Sequence, residues 1–212
     1  MKSSCAVLLV AVAVLACGQR PNQTSANGAA NELRDNRNVT KSPVPTDPDV
    51  HAVSRSGMGN IRLQMTLDEA RRALPVAKFE RTSDGDGAAL VEVTVAPDES
   101  MILWADEDDP GDPIDWSKKI NTIETFSPAF HTVEGVHPGS LVTDVEMVLG
   151  KTREIEKSEI ESREYITFEK QPSYLTLRLD DTGIFSADSR RTTKFEPDAK
   201  ILSIAVSMYS TN

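Results

Sequence analysis

Ile61-Arg62-Leu63-Gln64-Met65-Thr66-Leu67-Asp68-Glu69-Ala70-Arg71-Arg72-Ala73-Leu74-Pro75 lies without gaps on Val136-His137-Pro138-Gly139-Ser140-Leu141-Val142-Thr143-Asp144-Val145-Glu146-Met147-Val148-Leu149-Gly150, an offset of 75. Apolar residues coincide at 61 and 136, 67 and 142, 70 and 145, 73 and 148, and 74 and 149. From Leu67 and from Val142 onward they recur at intervals of three, three and one, which marks one face of a short helix. Thr66-Leu67-Asp68-Glu69 has the form of a capping box, in which Thr66 and Glu69 satisfy each other's orphan amides. Pro75 and Gly150 end the two helices at the same place. Residues 90–94 (LVEVT) and 165–169 (YITFE) fall at the same offset and alternate with period two, as strands do. Residues 119–123 (KINTI) match 200–204 (KILSI) at an offset of 81, the six extra residues lying within 181–197. The pattern predicts an α+β chain of two tandem units, 58–128 and 129–212. Each would pack a short helix on an antiparallel sheet.

Ahead of the repeat the chain changes character twice. Lys2 is followed by an apolar run over residues 6–16 (AVLLVAVAVLA), too short for a spanning helix but suited to a signal peptide. That run ends Val14-Leu15-Ala16-Cys17 and resembles the lipobox of bacterial lipoproteins, with Val14 where Leu is usual. The resemblance implies removal of residues 1–16, acylation of Cys17 and anchoring by several acyl chains, each buried methylene contributing about 0.8 kcal/mol. Gly18 follows in place of the inner-membrane retention residue Asp, which implies the periplasmic face of an outer membrane in a two-membrane cell. Residues 17–57 are rich in Asn, Ser, Thr, Gln, Pro and Gly and lack apolar periodicity, so they are expected to form a flexible tether. His51 falls within it.

Charge and composition narrow the function. The 212 residues carry 33 acids against 23 Lys plus Arg, a net of −10, and the hydrophobic share is 39%. From Met58 onward there are 17 bases and 29 acids, so the acidity belongs to the repeat region. Nucleic acid is excluded as a partner, because phosphate contacts need clustered Lys and Arg. A basic protein or cell-wall component is the complementary expectation. Both cysteines lie before residue 18, so no disulfide or Cys-ligated zinc supports the body.

The stretch Met65-Thr66-Leu67-Asp68-Glu69, with its weaker echo at 140–146, also resembles the SmpA/OmlA family of small outer-membrane lipoproteins. Two such units in tandem resemble the β-lactamase-inhibitor-protein-like fold. Where the family has Gly before its Met-Thr pair, this chain has Gln64, and the second copy has Gly139 followed by Ser140. The resemblance implies a non-catalytic protein that works by binding, and it transfers no binding residue.

Chemistry-bearing clusters are few. Residues 106–115 (DEDDPGDPID) hold six carboxylates, and Asp106, Asp108, Asp109 and Asp112 are candidate oxygen ligands for Ca²⁺. The EF-hand spacing fails there, with Pro110 fifth and Ser117 twelfth, so a solvated acidic connection is the simpler assignment. Trp116, in the same loop, is the candidate exposed partner contact. His131 and His137 stand near Glu134 and are the candidates for a hydrolase with a distant carboxylate. They lack the H-E-x-x-H spacing of a metal helix. Asp84-Gly85-Asp86-Gly87 reads as a turn and residues 154–164 (EIEKSEIESRE) as a charged hairpin.

The sequence therefore predicts an envelope lipoprotein with a non-catalytic binding domain. The alternatives are a hydrolase or a Ca²⁺-dependent binder.

Overall fold

In a computed structural model, residues 49–107, 109–159 and 161–208 are described. Cys17, the signal segment and most of the tether lie outside them. Three short strands open the body: β1 (Val53–Ser54), β2 (Gly57–Met58) and β3 (Ile61–Arg62), paired antiparallel in that order. Val53, Met58 and Ile61 are buried. The folded part therefore begins before residue 58, inside the stretch that composition assigns to the tether.

After β3 come α1 (Leu67–Ala73), β4 (Lys78–Ser83), β5 (Ala89–Ala96), β6 (Glu99–Glu107) and β7 (Thr122–Thr125). Then follow α2 (Val142–Leu149), β8 (Thr152–Lys157), β9 (Glu164–Phe168), β10 (Leu175–Leu179), β11 (Arg191–Thr192) and β12 (Ile201–Ser207). The nine strands from β4 on form a single sheet in the order β11-β8-β9-β10-β12-β7-β6-β5-β4, with every neighbouring pair antiparallel.

The expected α+β architecture of two helix-on-sheet units is thereby overturned. Strand accounts for 42% of the described residues and helix for only 9%. The physical reason lies in β12. It pairs with β10 on one side and β7 on the other, with Val206 opposite Ile123 and Ala205 opposite Glu124. That pairing consumes the edges at which two separate sheets would have ended.

Both helices form where apolar spacing places them. In α1, Thr66 Oγ1 accepts from the Glu69 amide at 3.1 Å and Glu69 Oε2 accepts from the Thr66 amide at 2.8 Å. In α2 the corresponding Leu141 makes no side-chain cap. Each helix start is stitched to the sheet by the same bonds. Gln64 N donates to Ile120 O (2.7 Å), Ile120 N to Met65 O (2.8 Å) and Leu67 N to Lys118 O (2.9 Å). In the second half Gly139 N donates to Ile201 O (2.7 Å), Ile201 N to Ser140 O (2.9 Å) and Val142 N to Ala199 O (2.9 Å). Gln64 and Gly139, the paired donors, both have positive φ, +69° and +90°.

One face of the large sheet is the core face. Val91, Val93, Met101, Leu103, Ile123, Ile166, Leu177 and Ile204 are buried there in one cluster with Leu67 and Ala70 of α1 and Val142, Val145 and Leu149 of α2. Alternation sends the intervening side chains to the opposite face, which the helices leave open.

Candidate functional site

The open face holds a groove of about 1010 Å³ whose lining runs from Trp104 on β6 across β7, β12, β10 and β9 to Glu154 and Glu156 on β8. Its floor is set by cross-strand pairing. Trp104 lies opposite Thr122, Thr122 opposite Ser207, Arg178 opposite Ser203 and Tyr165, and Tyr165 opposite Glu156. Apart from the buried Ser203 and the exposed Glu156, these residues are half-exposed members of strands that alternate with buried ones, so the period that builds the core also builds the groove.

The ends of the sheet curl toward each other over this face. Asp84 and Asp86 sit in the turn between β4 and β5, and Glu161 in the turn between β8 and β9. In strand order these turns are at opposite sides of the sheet, yet their carboxylate oxygens lie within 4.8 Å of one another. Asp84 Oδ1 accepts from the amides of Asp86 (3.1 Å) and Ala88 (2.8 Å), which fixes the first turn. Burial, then a hydrogen bond with Asp86 and the nearby Asp84 charge, push the Glu161 carboxyl above its ordinary pKa, while the Arg163 guanidinium opposes them. Two carboxyl groups sharing a site behave this way.

The groove is close to charge-balanced. Asp84, Glu124, Glu154, Glu156 and Glu161 face Arg153, Arg163, Arg178 and Arg191 in its lining. Arg191 is held by Glu156 (3.0 Å) and Glu154 (3.5 Å), and Arg163 by Glu161 (2.5 Å). Glu124, 11% exposed, accepts a hydrogen bond from Ser203 Oγ at 2.6 Å. Arg178, 19% exposed, reaches the same Glu124 oxygen only at 3.7 Å. The acidic excess of the chain therefore lies elsewhere on the surface.

The candidate ligand, contact and catalytic residues read from the sequence fall outside this groove, whereas Asp84 of the expected turn and Glu154, Glu156 and Glu161 of the expected charged hairpin line it. Trp116 is half-buried, with the Arg71 guanidinium 4.3 Å over its ring and Phe79 edge-on at 5.9 Å. It packs between α1 and β4. In the acidic loop, Asp106 accepts from Asn121 Nδ2 (2.5 Å) and Asp109 from the Gly111 amide (2.7 Å). Asp112 offers its backbone carbonyl to Arg81 (3.1 Å), and Asp108 lies outside the described residues. Among the described residues, the three acids able to converge on a cation are Asp84, Asp86 and Glu161, not members of this loop. His131 places Nε2 3.0 Å from Asp49 and Nδ1 3.1 Å from Ala129 O. His137 places Nδ1 2.8 Å from Pro138 O, and His51, read from sequence as tether, places Nε2 3.2 Å from Glu99. None of the three lines the groove. Sequence reasoning passed over Arg178, Tyr165 and Glu124. The alternation in residues 175–179 (LTLRL) is the signal that sets Thr176 and Arg178 opposite the core.

No protein-family model matches the chain, and no curated protein sequence does. Among solved structures it is similar to the uncharacterized protein yfeY from Escherichia coli. The identity is 14% and the TM-score 0.49, covering 74% of this chain and 99% of that one.

Proposed function

We propose that the chain is a non-catalytic binding module of the cell envelope, anchored through an acylated Cys17, which holds a protein partner in the groove of its nine-stranded sheet. The observation that carries this is the composition of the groove: Trp104, Tyr165 and four arginines on one open face, a residue set enriched where proteins bind one another. A groove of about 1010 Å³ is at the upper limit of small-ligand pockets and open along the sheet, which suits a polymer better than a metabolite. The net negative charge by itself favours a basic partner. The near balance of the lining favours one of mixed charge. The Val14-Leu15-Ala16-Cys17 run and Gly18 support delivery to the outer membrane.

The test is capture in cells. A photo-crosslinking residue at position 104 of the intact lipoprotein is expected to trap a discrete protein. Capture no greater than with the anchored tether alone overturns the proposal. Cys17→Ser is expected to abolish fatty-acid labelling; retained label would remove the anchor from it.

A further inference from the structure

Arg178 stands in the floor of the groove with its hydrogen-bonding capacity largely unused. A guanidinium has five N–H donors. Here Nη1 faces Glu124 at 3.7 Å, an oxygen already accepting from Ser203, and Nε is buried without a hydrogen-bond partner among the described residues. The Phe126 ring, 5.8 Å away, covers one face of the guanidinium. Arg191 and Arg163, the other paired arginines of the lining, have carboxylates at 3.0 Å or less. A buried donor left unpaired is costly, and the unpaired Nε shares an edge with Nη2 that matches the two oxygens of a carboxylate.

Resting on the reading of the groove as a protein-binding face, we propose that Arg178 receives a carboxylate side chain, Asp or Glu, of the partner polypeptide. Nε is closed to solvent in the free chain, so the guanidinium turns to expose its Nε–Nη2 edge, and that edge binds the carboxylate bidentately. The lining spans seven strands, about 29 Å at the usual strand spacing, room for an extended segment of about eight residues. The fixed pairs Arg191 with Glu154 and Glu156, and Arg163 with Glu161, flank the site and offer both signs to neighbouring side chains. The partner is thus acidic where it meets Arg178, although the chain as a whole is acidic too.

Side-chain Nε–H resonances of the ¹⁵N-labelled full chain report on this directly. The probe is a Glu-containing decapeptide, compared with its Gln counterpart, a carboxylated oligosaccharide and inorganic phosphate at constant ionic strength. The Arg178 resonance is expected to move saturably with the Glu peptide, with at least tenfold weaker response to the Gln peptide. Arg178→Lys is expected to weaken binding at least tenfold and Arg72→Lys, on α1 and outside the groove, to leave it unchanged. Because the chain carries −10, unspecific attraction does not imitate this result. An unmoved Arg178 resonance, an equal response to the Gln peptide, or a response confined to the oligosaccharide or phosphate overturns the proposal. Peptide binding that persists in Arg178→Lys overturns it while sparing the groove as a binding face. Failure of cellular capture at position 104 instead removes the groove's function.

Discussion

Gln64 holds φ at +69°, a region that suits glycine and costs other residues about 1 kcal/mol or more. It is kept there because its amide must reach Ile120 O at 2.7 Å to start the helix against the sheet. Gly139 does the same work at +90° without strain, and no atom lies within 4 Å of where its Cβ would be. Gln64→Gly is therefore expected to stabilise the fold by about 1 kcal/mol in denaturant titration, and Gly139→Ala to destabilise it by a similar amount. A Gln64→Gly chain no more stable than wild type would show that the side chain recovers its backbone cost by contacts.

Among the elements, α1 and α2 differ in how they begin. Thr66 and Glu69 form a reciprocal cap on α1, whereas α2 starts at Leu141 with no side-chain bond. Thr66→Ala is expected to cost about 1 kcal/mol by equilibrium unfolding. An undiminished midpoint would mean that packing of Leu67 and Ala70 alone holds the helix. Both helices and the strands at 89–96 and 164–168 were legible in the sequence because their signals are local: a cap, a helical spacing, an alternation of two. The joining of the nine strands from β4 to β12 into one sheet was not. Period two is the same whether a strand pairs with its hairpin neighbour or, like Val206 with Ile123, with one 83 positions away. Trp116 lies in the connection between β6 and β7, as its stretch indicates, but its neighbours Arg71 and Phe79 arrive from α1 and β4 and cannot be read from that stretch.

For the molecule as a whole, the contact between the β4–β5 and β8–β9 turns ties one side of the sheet to the other across the groove. A carboxyl whose pKa is raised on folding contributes stability below its unfolded value and loses it as pH rises through the folded value. The Asp86–Glu161 contact should therefore tighten on acidification and loosen toward alkaline pH. Spin labels at Gly85→Cys and Glu159→Cys, with Cys5→Ser and Cys17→Ser to leave no other thiol, are expected to be closer at about pH 4, below the ordinary Glu value, than at about pH 8. Glu161→Gln is expected to remove the pH dependence; identical distances at both values in the unaltered pair would disprove the effect. The placement of β12 has a different consequence, one of timing. β12, the last strand among the described residues, occupies the middle of the sheet, between β10 and β7. Until it emerges, a chain being synthesised carries two unsatisfied strand edges facing each other across a vacant slot, and such edges recruit other chains. Truncation before Ile201 should yield aggregate instead of a half-sized domain.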